Sequence, residues 1–233
     1  MGISSKIKEK NAIRLFLVDG FPAYREGFRS VVENVSDIEV IGIVESGEYV
    51  YQTGSLHLAD VIVVDANLPN GSGFELCLGL AFDYPQLKTI LLCEQDWTVY
   101  LVLARKLRCA SMLVRRTPIV AMLDVIRQAR TKSLYTPDQV NTVDVWQHTI
   151  GVELKSLQPR EWRVLWHLSA GLINRDIAVQ LGVSKGTIEK YISNLLHKFS
   201  IASRSDLLQY IHHNHLEVLR DLSPTTRLQI LDR

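Results

Sequence analysis

The chain has 233 residues, 47% hydrophobic and 22% charged, with a formal net charge of +1. That length suits one large domain or two ordinary ones, and the apolar content excludes an unfolded chain. Charge is unevenly spread: residues 13–130 hold 11 Lys/Arg against 14 Asp/Glu, and residues 154–212 hold 8 against 4. A basic compact segment beside an acidic one points to a module that faces nucleic acid. The three cysteines, Cys77, Cys93 and Cys109, have no CxxC spacing, so neither a disulfide framework nor a zinc site is expected. The N-terminal dozen residues are polar and charged, unlike a signal peptide, and no apolar run approaches the ~20 residues of a membrane span. The expected location is the cytoplasm, with no membrane partner.

In chain order, residues 1–12 form a tail. Residues 13–19 (IRLFLVD) read as a buried strand ending in an acid, and 22–35 as a helix opened by Pro22. Further strands are expected at 39–46, 59–65 (ADVIVVD), 88–93 (KTILLC) and 111–115, with a helix over 118–130. Continuous Val/Ile/Leu runs mark strands covered on both faces. The pattern predicts an α/β doubly wound domain with a five-stranded parallel sheet over 13–130, followed by a small all-α domain. The functional crevice of such a sheet lies at the C-terminal strand ends, where Asp19 and Asp65 fall. Residues 131–153 mix turn formers and polarity and read as a linker with some local helix. Residues 215–233 form an extension in which Ser223-Pro224 opens a short helix.

The helical segment 154–214 holds the sharpest local signal. NRDIAVQL (174–181) is a short helix that Gly182 can end in the left-handed conformation. Ser184 caps the next helix, and Val183 with Ile188 makes a hydrophobic staple. Two helices joined by a tight glycine turn make a helix-turn-helix. The second helix carries an apolar stripe of Ile188, Ile192, Leu195, Leu196 and Phe199. Gly186, Lys190, Ser193 and His197 lie opposite, flanked by Thr187, Glu189 and Asn194. A short polar face suits the major groove. Lys190 can donate to guanine and Asn194 can pair with adenine. Lys185, Thr187, Tyr191, Lys198 and Arg204 are expected on the DNA side as well, mainly at phosphates. An ordinary solvated helix face would have a similar composition; the turn chemistry and staple favour the DNA reader.

This segment closely resembles the LuxR-type DNA-binding domain. The resemblance is carried by L-x-P-R-E (157–161), N-R-D-I-A (174–178), L-G-V-S (181–184), G-T-I (186–188), S-N-L-L-x-K (193–198) and S-R-S (203–205). It implies a four-helix domain that binds double-stranded DNA as a homodimer on two half-sites. Glu189 stands where many members have a DNA-contacting Lys. A carboxylate there repels phosphate but could accept from cytosine.

The first half resembles the receiver domain of NarL/FixJ-class response regulators, through L-V-D (17–19), P-x-x-R-E-G (22–27), V-V-D (63–65) and L-P-N-G-S-G-F-E (68–75). The resemblance makes Asp65 the counterpart of the phosphorylated aspartate. It also implies a pair of acids for Mg²⁺, but here they are Asp19 and Gly20, so Mg²⁺ binding is doubtful and no cofactor is expected. Cys93 replaces the Ser/Thr that binds the phosphoryl group, and a thiol is a poor donor. Arg115 takes the place of the Lys after the fifth strand, although a one-residue shift would make it Arg116. Arginine keeps the charge but not the compact ammonium. Three readings of Asp65 follow: a polar strand end inherited with the fold, a live phospho-acceptor, or another anion contact. Cys93 near Arg115 also raises a redox reading, against the commoner one of a small core thiol.

The main expectation is a sequence-specific DNA-binding transcription regulator with an atypical receiver, independent of aspartate phosphorylation. The alternative is a conventional response regulator phosphorylated at Asp65 by a histidine kinase; a different regulatory protein could also engage the receiver. No nucleophile–base set, P-loop or metal-ligand cluster points to an enzyme. His212, His213 and His215 suit an exposed helix end.

Overall fold

The computed structural model describes residues 9, 11–132 and 134–227. Most of the expected tail 1–12 and the end of the extension, 228–233, lie outside them. The chain divides into two compact units. One comprises the residues up to Asp96 and Tyr100–Val140; the other comprises Trp97–Val99 and the residues from Asn141.

The first unit is built on β1 (Ile13–Val18), β2 (Ile38–Val44), β3 (Val61–Asp65), a two-residue pair β4 (Asn67–Leu68) and β5 (Gly71–Ser72), then β6 (Lys88–Cys93) and β7 (Ser111–Val114). The long strands form one parallel sheet in the order β2-β1-β3-β6-β7. The order turns back beside β1, the switch point at which a crevice opens. Helices α1 (Pro22–Val32), α2 (Gly47–Gln52), α3 (Gly73–Asp83), α4 (Thr98–Lys106) and α5 (Ile119–Ala129) connect the strands. The five β3 residues are fully buried, as a central strand covered on both faces requires. Leu15, Leu17, Val63, Ile90 and Leu92 face Phe28, Met122 and Ile126 in one core layer.

Residues 131–153, read as a linker, contain α6 (Pro137–His148), and α7 (Ile150–Lys155) follows. The second unit then runs through α8 (Pro159–Ser169), α9 (Asn174–Leu181), α10 (Lys185–Lys198) and α11 (Arg204–His213), to a 3₁₀ turn at Leu216–Asp221. Its core gathers Leu165, Leu168, Ile177, Ile188, Leu195, Leu207 and Ile211, all buried. In the extension, Ser223 Oγ accepts from Thr226 N at 3.1 Å, the cap expected for a helix opened by Pro224. Arg227 lies over Trp162 and Trp166, 5.4 and 5.9 Å from their ring centres.

Gly73 permits the close return of the chain after β3. A Cβ there would lie 1.9 Å from the Asp65 carbonyl oxygen, closer than any rotamer can relieve. Gly73→Ala should therefore force β3 and α3 apart. The expected loss is about 2 kcal/mol or more, the cost of overpacking a backbone contact. Urea denaturation followed by circular dichroism measures it; an unchanged midpoint would refute the constraint.

Candidate functional sites

The first site is the crevice at the C-terminal strand ends. β1 delivers Asp19, β3 ends on Asp65, Glu94 follows β6, and Arg115 follows β7. Asp19 and Asp65 are wholly buried. The Arg115 guanidinium lies between them, with Nη1 2.8 Å from Asp19 Oδ2 and Nη2 2.8 Å from Asp65 Oδ2. Its Nε donates to Glu94 Oε1 at 2.6 Å. The Asp65 approach is an ion pair without hydrogen-bond alignment. Phe21 and Tyr24 flank the guanidinium, their ring centres 4.8 and 4.6 Å from its carbon. Such a flat cation between aromatic faces and carboxylates is a task for arginine rather than lysine.

Backbone donors complete the crevice. Phe21 N donates to Asp19 Oδ1 at 2.8 Å and Asn67 N to Asp65 Oδ1 at 3.1 Å. Arg25 donates to the Asp19 carbonyl at 2.7 Å. Burial pushes the Asp65 carboxyl up from 3.8 to about 6, although Arg115 and the Asn67 amide pull the other way. The shift shows that desolvation outweighs the ion pair here.

A Mg²⁺ does not fit this arrangement. The ion needs near-octahedral oxygen ligands at about 2.0–2.1 Å, and a fixed cation already sits against both carboxylates. Gly20 supplies no third one, and a Cβ at Gly20 would lie 2.7 Å from Pro69 Cδ. Restoring an acid at that position would therefore require Pro69 to move. Arg116 pairs instead with Asp96 at 3.0 Å on the surface, so of the two candidate arginines Arg115 is the one in the crevice.

Burial favours the core-thiol reading of Cys93 over the redox one. Its thiol is buried, and desolvation pushes its pKa up, with Asp65 and Glu94 adding to the shift and Arg115 only partly opposing it. The thiolate that oxidation requires is disfavoured.

The second site is the exposed face of α10. Gly182 ends α9 at φ +64, and Val183 N donates to the Ala178 carbonyl at 3.0 Å. Ser184 Oγ accepts from Thr187 N at 3.1 Å and meets the Thr187 hydroxyl at 2.9 Å. Ile188, Ile192, Leu195 and Phe199 are buried, while Gly186, Lys190, Ser193, Asn194 and His197 are exposed. Glu189 is also exposed, but Lys185 Nζ lies 3.3 Å from its carboxylate and offsets its charge. Tyr191 neighbours Arg160, a cation at the start of α8, and raises its pKa.

Two residues expected on the DNA side have partners within the domain. Lys198 donates to Glu161 Oε2 at 2.5 Å and to the Ser156 carbonyl at 2.6 Å. Glu161 is itself buried, and also accepts from the Gln158 amide at 2.8 Å in a capping box. Arg204 donates to Asn174 Oδ1 at 2.7 Å and the Leu172 carbonyl at 2.6 Å. Both cations thus lock helices together through these bonds. The periodicity of one helix cannot reveal such partners; the capping-box spacing of Gln158 and Glu161 is the only sequence sign of them.

Residues 155–211 match the model of the bacterial regulatory proteins of the luxR family. An uncharacterized transcriptional regulatory protein of Bacillus subtilis, YxjL, is 28% identical over 212 residues, covering 88% of this chain and 97% of the relative. A nitrate/nitrite response regulator protein homolog of Haemophilus influenzae is 26% identical, covering 84% and 94%. RcsB of Salmonella enterica serovar Typhimurium, solved bound to a promoter, superposes with TM-score 0.61 at 21% identity, covering 90% of this chain and all of that one. The C-terminal unit therefore carries a luxR-type helix-turn-helix. The whole chain has the receiver-plus-helix-turn-helix build of the NarL-type response regulators.

The raised pKa of Asp65 has a definite sign. The native carboxyl holds its proton more tightly than the unfolded one, so ionising it works against folding. That cost is absent below about pH 4 and complete above about pH 6. The stability gain of Asp65→Asn over the unsubstituted protein should therefore grow between pH 4 and 6, by up to about 3 kcal/mol, and level off above. Urea denaturation at four pH values measures this; a difference that stays constant across the interval contradicts it.

Proposed function

We propose that this protein is a sequence-specific DNA-binding transcription regulator whose receiver works without aspartate phosphorylation. The carrying observation for the receiver is the Arg115 guanidinium held between Asp19 and Asp65. Phosphoryl transfer to Asp65 would need a metal to neutralise the incoming charge, together with an accessible carboxylate. Here the charge is already neutralised internally and the carboxylate is shut in. A histidine kinase is then unnecessary, and any regulatory partner would act by docking on the receiver.

DNA binding rests on the luxR-type match and on the exposed α10 face. Lys190, Ser193 and Asn194 read base edges, while Lys185, Thr187 and Tyr191 position the helix on the backbone. Glu189, paired with Lys185, sets a preference at the edge of the half-site. Two copies bind two half-sites as a homodimer, in the compartment that holds the DNA. The division of labour is a tail (1–12), a receiver (13–130), a linker (131–153), the DNA-binding domain (154–214) and an extension (215–233). The chain contributes no catalysis of its own to this role.

Selection from a random DNA library with the purified protein should enrich one motif. Lys190→Ala or Asn194→Ala should weaken the enriched site about tenfold, as losing one base-reading pair does. Incubation with acetyl phosphate and Mg²⁺ should leave Asp65 unmodified by mass spectrometry. A phosphoryl group that Asp65→Asn abolishes would overturn the phosphorylation-independent reading and restore the kinase-driven one. Failure to enrich any motif at moderate salt would refute DNA reading.

A further inference from the structure

At the opposite end of the sheet from the acidic crevice, the first unit contains a cavity of about 600 Å³. Lys88 opens β6 on one wall, Arg105 stands in the last turn of α4, Arg108 follows it, and Lys132 follows α5. Tyr135 and Val140 also line it, and among the described residues no carboxylate does. None of the four cations forms an ion pair with another described residue. Elsewhere in the same unit arginines are matched to acids: Arg14 to Asp60, Arg127 to Asp37 and Arg115 to three carboxylates.

Cations gathered around one concavity repel each other, and low-dielectric walls focus their field into it. The wall has one polar group left without a partner and one strained turn, where α4 ends. The Tyr135 hydroxyl is buried with no hydrogen-bond partner, beside Arg105, whose guanidinium lies 5.5 Å from the Tyr135 ring centre. Arg108 adopts φ +60, a left-handed conformation that Gly or Asn would adopt at less cost.

We propose that this cavity is a binding site for a small polyanion of the diphosphate type. Its volume lies within the range of ordinary small-ligand sites. A concavity of that size admits a free anion of several charges but not a duplex. Guanidinium forks from Arg105 and Arg108 would grip phosphoryl oxygens, with Lys88 and Lys132 as flanking point charges. The ligand would bridge the end of α4, the end of α5 and the segment 131–140 that leads out of the unit. The proposal uses none of the residues assigned to DNA reading, and it stands or falls independently of them.

Inorganic pyrophosphate titrated into the full-length protein by calorimetry at low salt tests it. One-to-one saturable binding is expected, with reduced hydrogen exchange in 131–140. The Arg105→Gln/Lys132→Gln pair should weaken it at least tenfold. Arg108→Asn, which suits the left-handed backbone and guards against misfolding of the double variant, should weaken it at least threefold. Circular dichroism checks that both variants fold. The absence of saturable binding, or equal affinity in both folded variants, would overturn the proposal.

Discussion

The acidic crevice is organised by one guanidinium. Arg115 neutralises Asp19 and Asp65, two carboxylates with no exposure to water, and reaches Glu94 as well. Two buried carboxylates at one strand-end crevice cannot both stay ionised without a cation beside them. A metal ion would supply that charge reversibly, at a level set by its concentration. An arginine supplies it permanently, because it does not deprotonate in proteins and cannot leave the chain. The same side chain ties together the chain just beyond β1, β3, β6 and β7, so crevice charge and sheet-end geometry are fixed by one residue. Phe21 and Tyr24 restrict it from the remaining sides.

Much of this was legible in the sequence. The strand runs ending in Asp19 and Asp65 follow from local patterns, whereas the loss of an acid at Gly20 and the place of Arg115 are legible only through the receiver resemblance. What the sequence does not contain is where a long side chain ends. Arg115 could have pointed to solvent, as Arg116 does; three acids distant in sequence hold it inward. The sequence marks the α6 region only as a linker with some local helix. Its polarity pattern is weak, and it is made amphipathic in practice by Val143 and Trp146, which are buried by packing that single-helix periodicity does not forecast.

The helix-turn-helix shows the same division more sharply. Gly182, Ser184 and the apolar stripe of α10 act locally and appear in the structure as read. Lys198 and Arg204 lie at recognisable motif positions, yet they serve Glu161 and Asn174, which are motif positions themselves. A family signature of this kind mixes residues that hold the domain together with residues that touch DNA. The Glu161–Lys198 and Asn174–Arg204 pairs belong to the first group. Matching the signature is therefore strong support for the fold of a DNA-binding unit. It says less about which bases are read, which on the proposed reading depends on exposed positions such as Lys190, Glu189 and His197.

On the proposed reading, a receiver whose cation is fixed internally does not take its signal at the aspartate, and control of DNA binding enters elsewhere. The basic cavity meets that requirement on electrostatic grounds. It begins at Lys88, whereas the acidic crevice lies beyond Cys93, the other end of β6. Five strand steps separate them by roughly 16 Å. At that distance two unit charges interact by only about 1 kcal/mol at an effective dielectric of about 20. Charge placed in the cavity would therefore disturb the Arg115 cluster only weakly, and the cluster would not neutralise the cavity. The two ends of the sheet can hold opposite charge independently, one satisfied within the chain and the other left open to a ligand from outside it.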